Sequence, residues 1–187
     1  MAEKRKTWRG LISGFKVSNL VFLDESGCNT DMTRRYAYSF GGSRAVDSTP
    51  LSKPKNTTIL SSIQLDGTLR YTTFSGGTTV EKFKQYLKEK LLPHLNRDSV
   101  LVMDNMKSHH AKAVKDLLDS SGIRYIYLPP YSPDLNPIEK LWSKVKTLLR
   151  KFKARTLEEL PISIQHAFQN VSPSDCSGWF RSCGYAL

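Results

Sequence analysis

Two short apolar runs, each followed at once by an aspartate, constrain the fold of this 187-residue chain more than any other feature. Val100–Met103 precedes Asp104, and Leu20–Leu23 precedes Asp24. Four consecutive apolar residues are typical of a strand that is buried on both faces. We therefore predict two strands that end in aspartate. Because neighbouring parallel strands present their carboxyl ends to one crevice, the two carboxylates are expected to meet there.

A predicted helix supplies a third carboxylate. Asn136 and Pro137 suit the cap and the first position of a helix, which places Glu139 in the first turn. An apolar stripe on this helix predicts packing against the sheet, with Glu139 at its edge; it comprises Ile138, Leu141, Trp142, Val145, Leu148, Leu149 and Phe152. Structural readings stay open: Glu139 could complete a capping box, and Asp24 and Asp104 could simply begin loops.

Three strings resemble the three catalytic blocks of DDE transposases of the mariner superfamily, in particular its bacterial insertion-sequence branch. They are Phe22–Gly27 (FLDESG), Val102–His109 (VMDNMKSH) and Leu128–Trp142 (LPPYSPDLNPIEKLW). The 34 residues between Asp104 and Glu139 fit the spacing of that branch. Because three blocks occur in order at the family spacing, the resemblance is specific.

The resemblance implies an α/β, ribonuclease H-like fold: a mixed five-stranded sheet flanked by helices, with a helical carboxyl-terminal extension. Residues 20–187 would form the DDE catalytic domain, and residues 1–19 a basic lead-in or linker. Full-length family members carry helix-turn-helix recognition modules before this point, and we expect them to be absent here. The chain would then be an excised domain, a relic or the second reading frame of a two-frame element.

The activity implied by the resemblance is metal-dependent cleavage of DNA at insertion-sequence ends, followed by transfer of those ends into TA targets. Asp24, Asp104 and Glu139 would be both the catalytic residues and the ligands of two Mg²⁺ ions, for which Mn²⁺ could substitute. Hard cations prefer such oxygen ligands. The implied partners are transposon-end DNA, target DNA and a second copy of the chain in an active homodimer.

The charge of the chain agrees with a polyanionic partner. Lys and Arg number 28 against 17 Asp and Glu, which gives a formal charge of +11; solubility alone is the simpler reading of this excess. The candidate DNA contacts are Arg34, Arg35, His109, Lys146 and Arg150. The first two could instead belong to a solvated loop, beside an edge strand near Tyr36–Phe40. We expect binding to be mainly electrostatic and to discriminate poorly between a terminal repeat and random duplex.

Other classes of protein fit the sequence less well. No apolar run approaches the ~20 residues that span a bilayer, and no signal peptide is recognisable, so we expect a cytoplasmic bacterial protein that associates with the nucleoid when bound to DNA. A non-catalytic DNA-binding or assembly module stays open, although it would gain nothing from three carboxylates. A nuclease for RNA·DNA hybrids is disfavoured by the proline-rich block at 128–139.

Two further expectations concern local structure and stability. The runs Thr57–Ile63 and Leu69–Phe74, joined by Asp66-Gly67, predict a hairpin on the antiparallel side of the sheet. Crowded carboxylates repel one another when no metal is bound, so Asp104→Asn is expected to raise the melting temperature in chelator.

Overall fold

The computed structural model describes residues 2–34, 36–51 and 54–185, and the strands in these ranges form one mixed sheet in the order β3-β2-β1-β4-β5. The strands are β1 (Leu20–Cys28), β2 (Thr57–Ile63), β3 (Leu69–Ser75), β4 (Val100–Met103) and β5 (Arg124–Tyr127). β1 pairs antiparallel with β2 and parallel with β4, β2 pairs antiparallel with β3, and β4 pairs parallel with β5. The mixed five-stranded sheet is confirmed.

Helices cover both faces of the sheet. They are α1 (Ala2–Ile12), α2 (Val80–Tyr86), which continues as a π-helical turn over Leu87–Leu91, α3 (Lys112–Ser121), α4 (Ile138–Phe152), α5 (Glu159–Gln169) and α6 (Pro173–Ser182). The last two form the expected helical extension. No helix in the described ranges is long and apolar enough to cross a bilayer.

The alternation of side chains along the central strands builds two cores. Phe22 and Val102 join the core that contains α4, α5 and α6, whereas Leu23 and Leu101 join the core of α2 and α3. All four side chains are fully buried. Because successive residues of a strand point to opposite faces, an uninterrupted apolar run is the pattern of a strand with helices on both sides.

The predicted hairpin is present, and the predicted edge strand is absent from the described residues. Gly67 adopts a positive φ of 90° in the turn between β2 and β3, and the Thr68 amide donates to Asp66 Oδ1 at 2.8 Å. By contrast, Tyr36, Tyr38 and Phe40 are almost completely exposed, and the chain around them forms no strand. Their alternation buries no face, so nothing stabilises pairing there.

The amino-terminal lead-in, which the sequence predicted as a basic linker, contains helix α1. Trp8, which is only 4% exposed, lies in the core beneath α4. Arg5 donates through Nη1 to Asp134 Oδ1 at 3.0 Å and to Ser132 Oγ at 3.2 Å. The helix is therefore docked on the loop that precedes α4.

Trp8→Ala tests whether this docking contributes to folding. Removing a buried tryptophan should lower the free energy of unfolding by about 3 kcal/mol, measured by urea denaturation. Leu11→Ala is the matched control, because Leu11 is 47% exposed on the same helix and should cost less than about 0.5 kcal/mol. Equal effects of the two substitutions would contradict a docked α1.

Candidate active site

The register between β1 and β4 places two aspartates side by side. The last parallel pair is Leu23 with Met103, and the next residues along the two strands are Asp24 and Asp104. The prediction that β1 ends at Asp24 is wrong, because β1 stays paired with β2 as far as Cys28. Asp24 thus lies within β1, one residue beyond the last pair that β1 forms with β4.

Glu139 joins the two aspartates from α4. Its exposed side chain lines a cleft of about 570 Å³ together with Asp24 and Asp104. The alternative of a capping box does not hold among the described residues: the Asn136 amide donates to the Pro133 carbonyl at 3.1 Å, and no side chain caps α4. Glu139 is therefore free of the structural role that its position suggested.

Contacts from distant parts of the chain hold the loop that delivers Glu139. Tyr185 donates its hydroxyl proton to the Leu135 carbonyl at 2.6 Å, and the Asn105 side-chain amide donates to the Leu128 carbonyl. Asp134, the other acid of this loop, is hydrogen-bonded to Arg5, which holds the pKa of Asp134 below its ordinary value. Asp134 therefore faces α1 and does not line the cleft.

Asp24 is the buried carboxylate of the site, with 8% of its surface exposed. The Glu25 amide donates to its Oδ1 at 2.7 Å, and the Trp142 indole donates to its Oδ2 at 3.2 Å. Burial, together with the charges of Asp104, Glu139 and Glu25, raises the pKa of Asp24 to about 7, against the lowering effect of the Glu25 amide. Without a cation, ionised Asp24 therefore destabilises the fold at neutral pH.

The pKa of Asp104 is shifted in the opposite direction because His109 lies beside it. His109 Nδ1 is 2.8 Å from Asp104 Oδ1, and the Met106 amide donates to the same oxygen at 3.0 Å. Burial alone would raise the pKa of Asp104, but these partners outweigh burial and lower it. For His109, burial lowers the pKa, and the contacts with Asp104 and Glu25 outweigh it to raise the pKa to about 9.

His109 is wrong as a predicted DNA contact, because its side chain is completely buried. Its ring stacks on Phe83 with centroids 4.4 Å apart, and its Nε2 is 3.2 Å from Glu25 Oε2. The sequence favoured a polar helix start at this position and gave no sign of burial. His109 belongs to the inner side of the site.

Two of the predicted DNA contacts border a second cleft. Lys146 and Arg150 are half-buried on α4 and line a space of about 430 Å³ with the end of β1 and the loop after it. Neither forms an ion pair with another described residue. Arg34 is exposed at a neighbouring depression, and Arg35 lies outside the described residues. The elements β1 and α4 thus border both the acidic cleft and the basic one.

The carboxylates share a cleft but are not gathered into a ready coordination shell. Among the described residues, no three His, Cys, Asp or Glu side chains are grouped to hold a metal ion as they stand. The donor chemistry nevertheless fits a hard cation: the acidic side chains that line the cleft supply carboxylate oxygens, and Asp104 Oδ2 accepts no hydrogen bond within the described ranges. The exposed side chain of Glu139 would have to turn inward to complete the set.

Sequence reasoning missed two groups that surround the carboxylates. Glu25 lies inside the string FLDESG and Trp142 inside LPPYSPDLNPIEKLW, yet nothing local marked their roles. Trp142 lies 118 residues from Asp24 along the chain, and Glu25 lies 84 residues from His109. Only the resemblance of the whole strings could have singled them out.

Comparison with known proteins identifies the family. The sequence profile described as "DDE superfamily endonuclease" matches residues 19–161, and the chain belongs to this family. It is similar to the Tc1 transposase of Caenorhabditis elegans, with 25% identity over 115 residues, covering 56% of this chain and 42% of that protein. It is also similar to the uncharacterized 39 kDa protein of insertion element IS630 from Shigella sonnei, with 31% identity over 75 residues, or 39% of this chain and 22% of that protein. The chain thus spans less than half the length of either relative.

Solved structures confirm the fold. The Mos1 transposase in a paired-end complex with the left transposon end superimposes with a TM-score of 0.78 at 21% identity, over 95% of this chain and 57% of that one. The catalytic domain of the Mos1 mariner transposase gives a TM-score of 0.70 at 19% identity, over 97% and 85% of the two chains. The ribonuclease H-like fold and the resemblance to mariner-superfamily transposases are both confirmed.

The pKa of Asp24 is raised and that of Asp104 is lowered. Neutralising the two aspartates in chelator should therefore change the free energy of unfolding in opposite directions. Asp24→Asn should raise the free energy of unfolding at pH 7.5 by about 2–4 kcal/mol, because it removes a charge that burial disfavours. Asp104→Asn should lower the free energy of unfolding, because it removes the charge that pairs with His109. The expectation from sequence that Asp104→Asn stabilises the protein is thereby reversed.

The pH dependence checks the assignment to Asp24. Its folded pKa of about 7 lies above its unfolded value, so its contribution to stability is present at acid pH and is lost as the pH rises from about 4 to about 7. The gain from Asp24→Asn should therefore shrink towards zero near pH 4 in urea titrations. A gain that is independent of pH would rule out Asp24 as its source.

Proposed function

We propose that this chain is the catalytic domain of a transposase that cleaves DNA at insertion-sequence ends and joins the resulting 3′ ends to target DNA at TA dinucleotides. The observation that carries the proposal is the convergence of Asp24, Asp104 and Glu139 on one cleft. These residues come from two strands and a helix, and the cleft lies next to the basic one that Lys146 and Arg150 line.

Each carboxylate has a distinct part in holding divalent cations, for which we propose two Mg²⁺ ions, with Mn²⁺ as a substitute. When bound, such ions activate the attacking hydroxyl and neutralise charge on the phosphate and the leaving oxygen. Asp24, which the Trp142 indole and the Glu25 amide fix in place, would hold the ions together with Asp104 and Glu139. Asp104 would contribute Oδ2, which accepts no hydrogen bond from the described residues, and Glu139 would contribute its exposed carboxylate. Structures of Mos1 paired-end complexes with Mn and with Mg are consistent with this choice of ions.

The DNA partner would lie across the acidic cleft and along α4. Lys146 and Arg150 follow Glu139 by seven and eleven residues, so they lie on the same side of the helix. We assign them to phosphates next to the scissile bond, with Arg34 at the margin of the same surface. A homodimer that holds two transposon ends is part of the proposal, and the paired-end and strand transfer complexes of Mos1 support it.

A non-catalytic DNA-binding module is the rival function, and the lack of a ready three-ligand group in the described part of the chain favours it. The cost of burying Asp24 argues against it. A module that only binds a polyanion would gain stability and affinity by replacing this aspartate with an uncharged residue. Catalysis gives a reason to keep the charge.

Glu139→Gln separates the two functions. Strand transfer of a pre-cut DNA end with a free 3′ hydroxyl, in Mg²⁺, requires no separate recognition module. We expect the variant to fold, to bind DNA at least as well as the parent and to be inactive in both cleavage and strand transfer, because glutamine loses the charge that a hard cation needs. Glu89→Gln, the same change at an exposed glutamate on the α2 side of the sheet, should keep the parent's rate. A Glu139→Gln variant with more than about a tenth of that rate, a loss below ~1.4 kcal/mol, would remove Glu139 from the site.

The basic cleft predicts a specific loss of salt dependence. Lys146→Ala and Arg150→Ala should each weaken duplex binding and reduce the slope of log K against log salt by about 0.9, because each substitution removes one phosphate contact. Fluorescence anisotropy at four or more salt concentrations measures the slope. Lys88→Ala removes an exposed lysine from the opposite face of the sheet and should leave the slope unchanged. The assignment fails if all three variants behave alike.

A further inference from the structure

His109 connects two carboxylates that belong to different parts of the chain. Its Nε2 lies 3.2 Å from Glu25 Oε2, and its Nδ1 lies 2.8 Å from Asp104 Oδ1. The ring is completely buried, stacks on Phe83, and is held through its own backbone carbonyl, which accepts a hydrogen bond of 3.0 Å from the Tyr127 hydroxyl. Glu25 and Asp104 both line the acidic cleft, and the buried His109 ring joins them in a carboxylate–imidazole–carboxylate chain.

The two oxygens of Asp104 have different surroundings. Oδ1 receives both the Met106 amide at 3.0 Å and His109 at 2.8 Å. Two contacts on one oxygen fix the rotation of the carboxylate plane about the Cβ–Cγ bond, which is otherwise a soft torsion. Oδ2, which accepts no hydrogen bond from the residues that the structure describes, is then presented to the cleft.

Packing by itself does not call for these groups. An apolar side chain would fill the space against Phe83 as well, whereas a buried carboxylate–imidazole pair must overcome the loss of its hydration. The Glu25 side chain is only 10% exposed, and its second oxygen, Oε1, is buried with no hydrogen-bond partner among the residues that the structure describes, which adds to that cost. A role at the site would explain why the fold keeps the buried pair of Glu25 and His109 despite this cost.

We propose that His109 and Glu25 are positioning residues for Asp104: they hold Oδ1 so that Oδ2 points to a divalent cation in the cleft. This inference rests on the proposed function in one respect, namely that Asp104 is a metal-binding carboxylate. His109 acts directly on Asp104, whereas Glu25 acts only through the ring of His109 and therefore has the smaller effect. Partners of this kind typically contribute 10–100-fold to metal affinity.

Two amide substitutions of His109 discriminate between its two nitrogens. The side-chain nitrogen of asparagine lies close to the place of Nδ1, which faces Asp104, whereas that of glutamine lies close to the place of Nε2, which faces Glu25. We expect His109→Asn to bind Mn²⁺ within about threefold of the parent, and His109→Gln to bind about tenfold or more weakly. Affinity is measured by isothermal titration with Mn²⁺ alone, after circular dichroism has shown that each variant is folded.

The neighbouring histidine supplies a matched control. His110 also stacks on an aromatic ring, that of Tyr127 with centroids 4.1 Å apart, and its hydrogen-bond partner is Asn105 rather than Glu25 or Asp104. His110→Gln should therefore bind Mn²⁺ like the parent. If the two amide variants of His109 lose affinity equally, or if neither loses any, His109 only fills space and the proposal is overturned.

A second measurement needs no metal, so it keeps the proposal testable even if a variant binds Mn²⁺ poorly for other reasons. In chelator, Asp104→Asn should lower the melting temperature of the parent but not of His109→Gln, because the ion pair that it removes is already broken there. Equal drops in both backgrounds would overturn the proposal. Failure of the proposed function looks different: the parent itself would show no binding of Mn²⁺, which would also leave His109 and Glu25 with no ligand to position.

Discussion

The parallel register between β1 and β4 is the constraint on which the rest of the site depends. Pairing of Leu23 with Met103 sets Asp24 and Asp104 at the same level of the sheet. A slip of one residue would exchange the faces of β1, and would turn Asp24 away from α4 and its Trp142 donor. The register is well specified because both faces of both strands are buried, so every alternative would expose or overfill one of the two cores.

The position of Glu139 depends on parts of the chain that contribute no carboxylate to the acidic cleft. Arg5 near the amino end and Tyr185 near the carboxyl end both hydrogen-bond to the loop that leads into α4. The buried stripe of α4 then fixes the rotation of the helix, and Glu139 is left at its amino-terminal end, where the helix dipole favours a negative charge. Terminal segments that read as accessories are thus part of how the acidic cleft is built.

Two aspartates in one cleft have opposite electrostatics because their neighbours differ. Asp24 is buried beneath an indole, and its neighbouring charges are other carboxylates, so its ionised form is disfavoured. Asp104 has the imidazole of His109 within 2.8 Å, so its ionised form is favoured. The acidic cleft therefore combines one carboxylate that would be stabilised by a cation with one that is already held in orientation. A cleft of this kind costs stability locally, and the large apolar cores on both faces of the sheet offset that cost.

The sequence by itself determined the local elements: the buried strand before Asp104, the hairpin of β2 and β3, and the amphipathic helix that starts next to Glu139. Each is encoded by periodicity, turn residues or prolines within a few positions, and the resemblance of three strings gave the fold and the three carboxylates. The tertiary structure alone decided that β1 runs on past Asp24, that His109 is buried against Glu25 and that Tyr36–Phe40 forms no strand. These outcomes depend on partners far along the chain, such as β2 for β1 and Glu25 for His109. A local pattern does not contain the residue that will lie opposite it, so pairing, burial and the pKa values that follow from them are set only when the chain has folded.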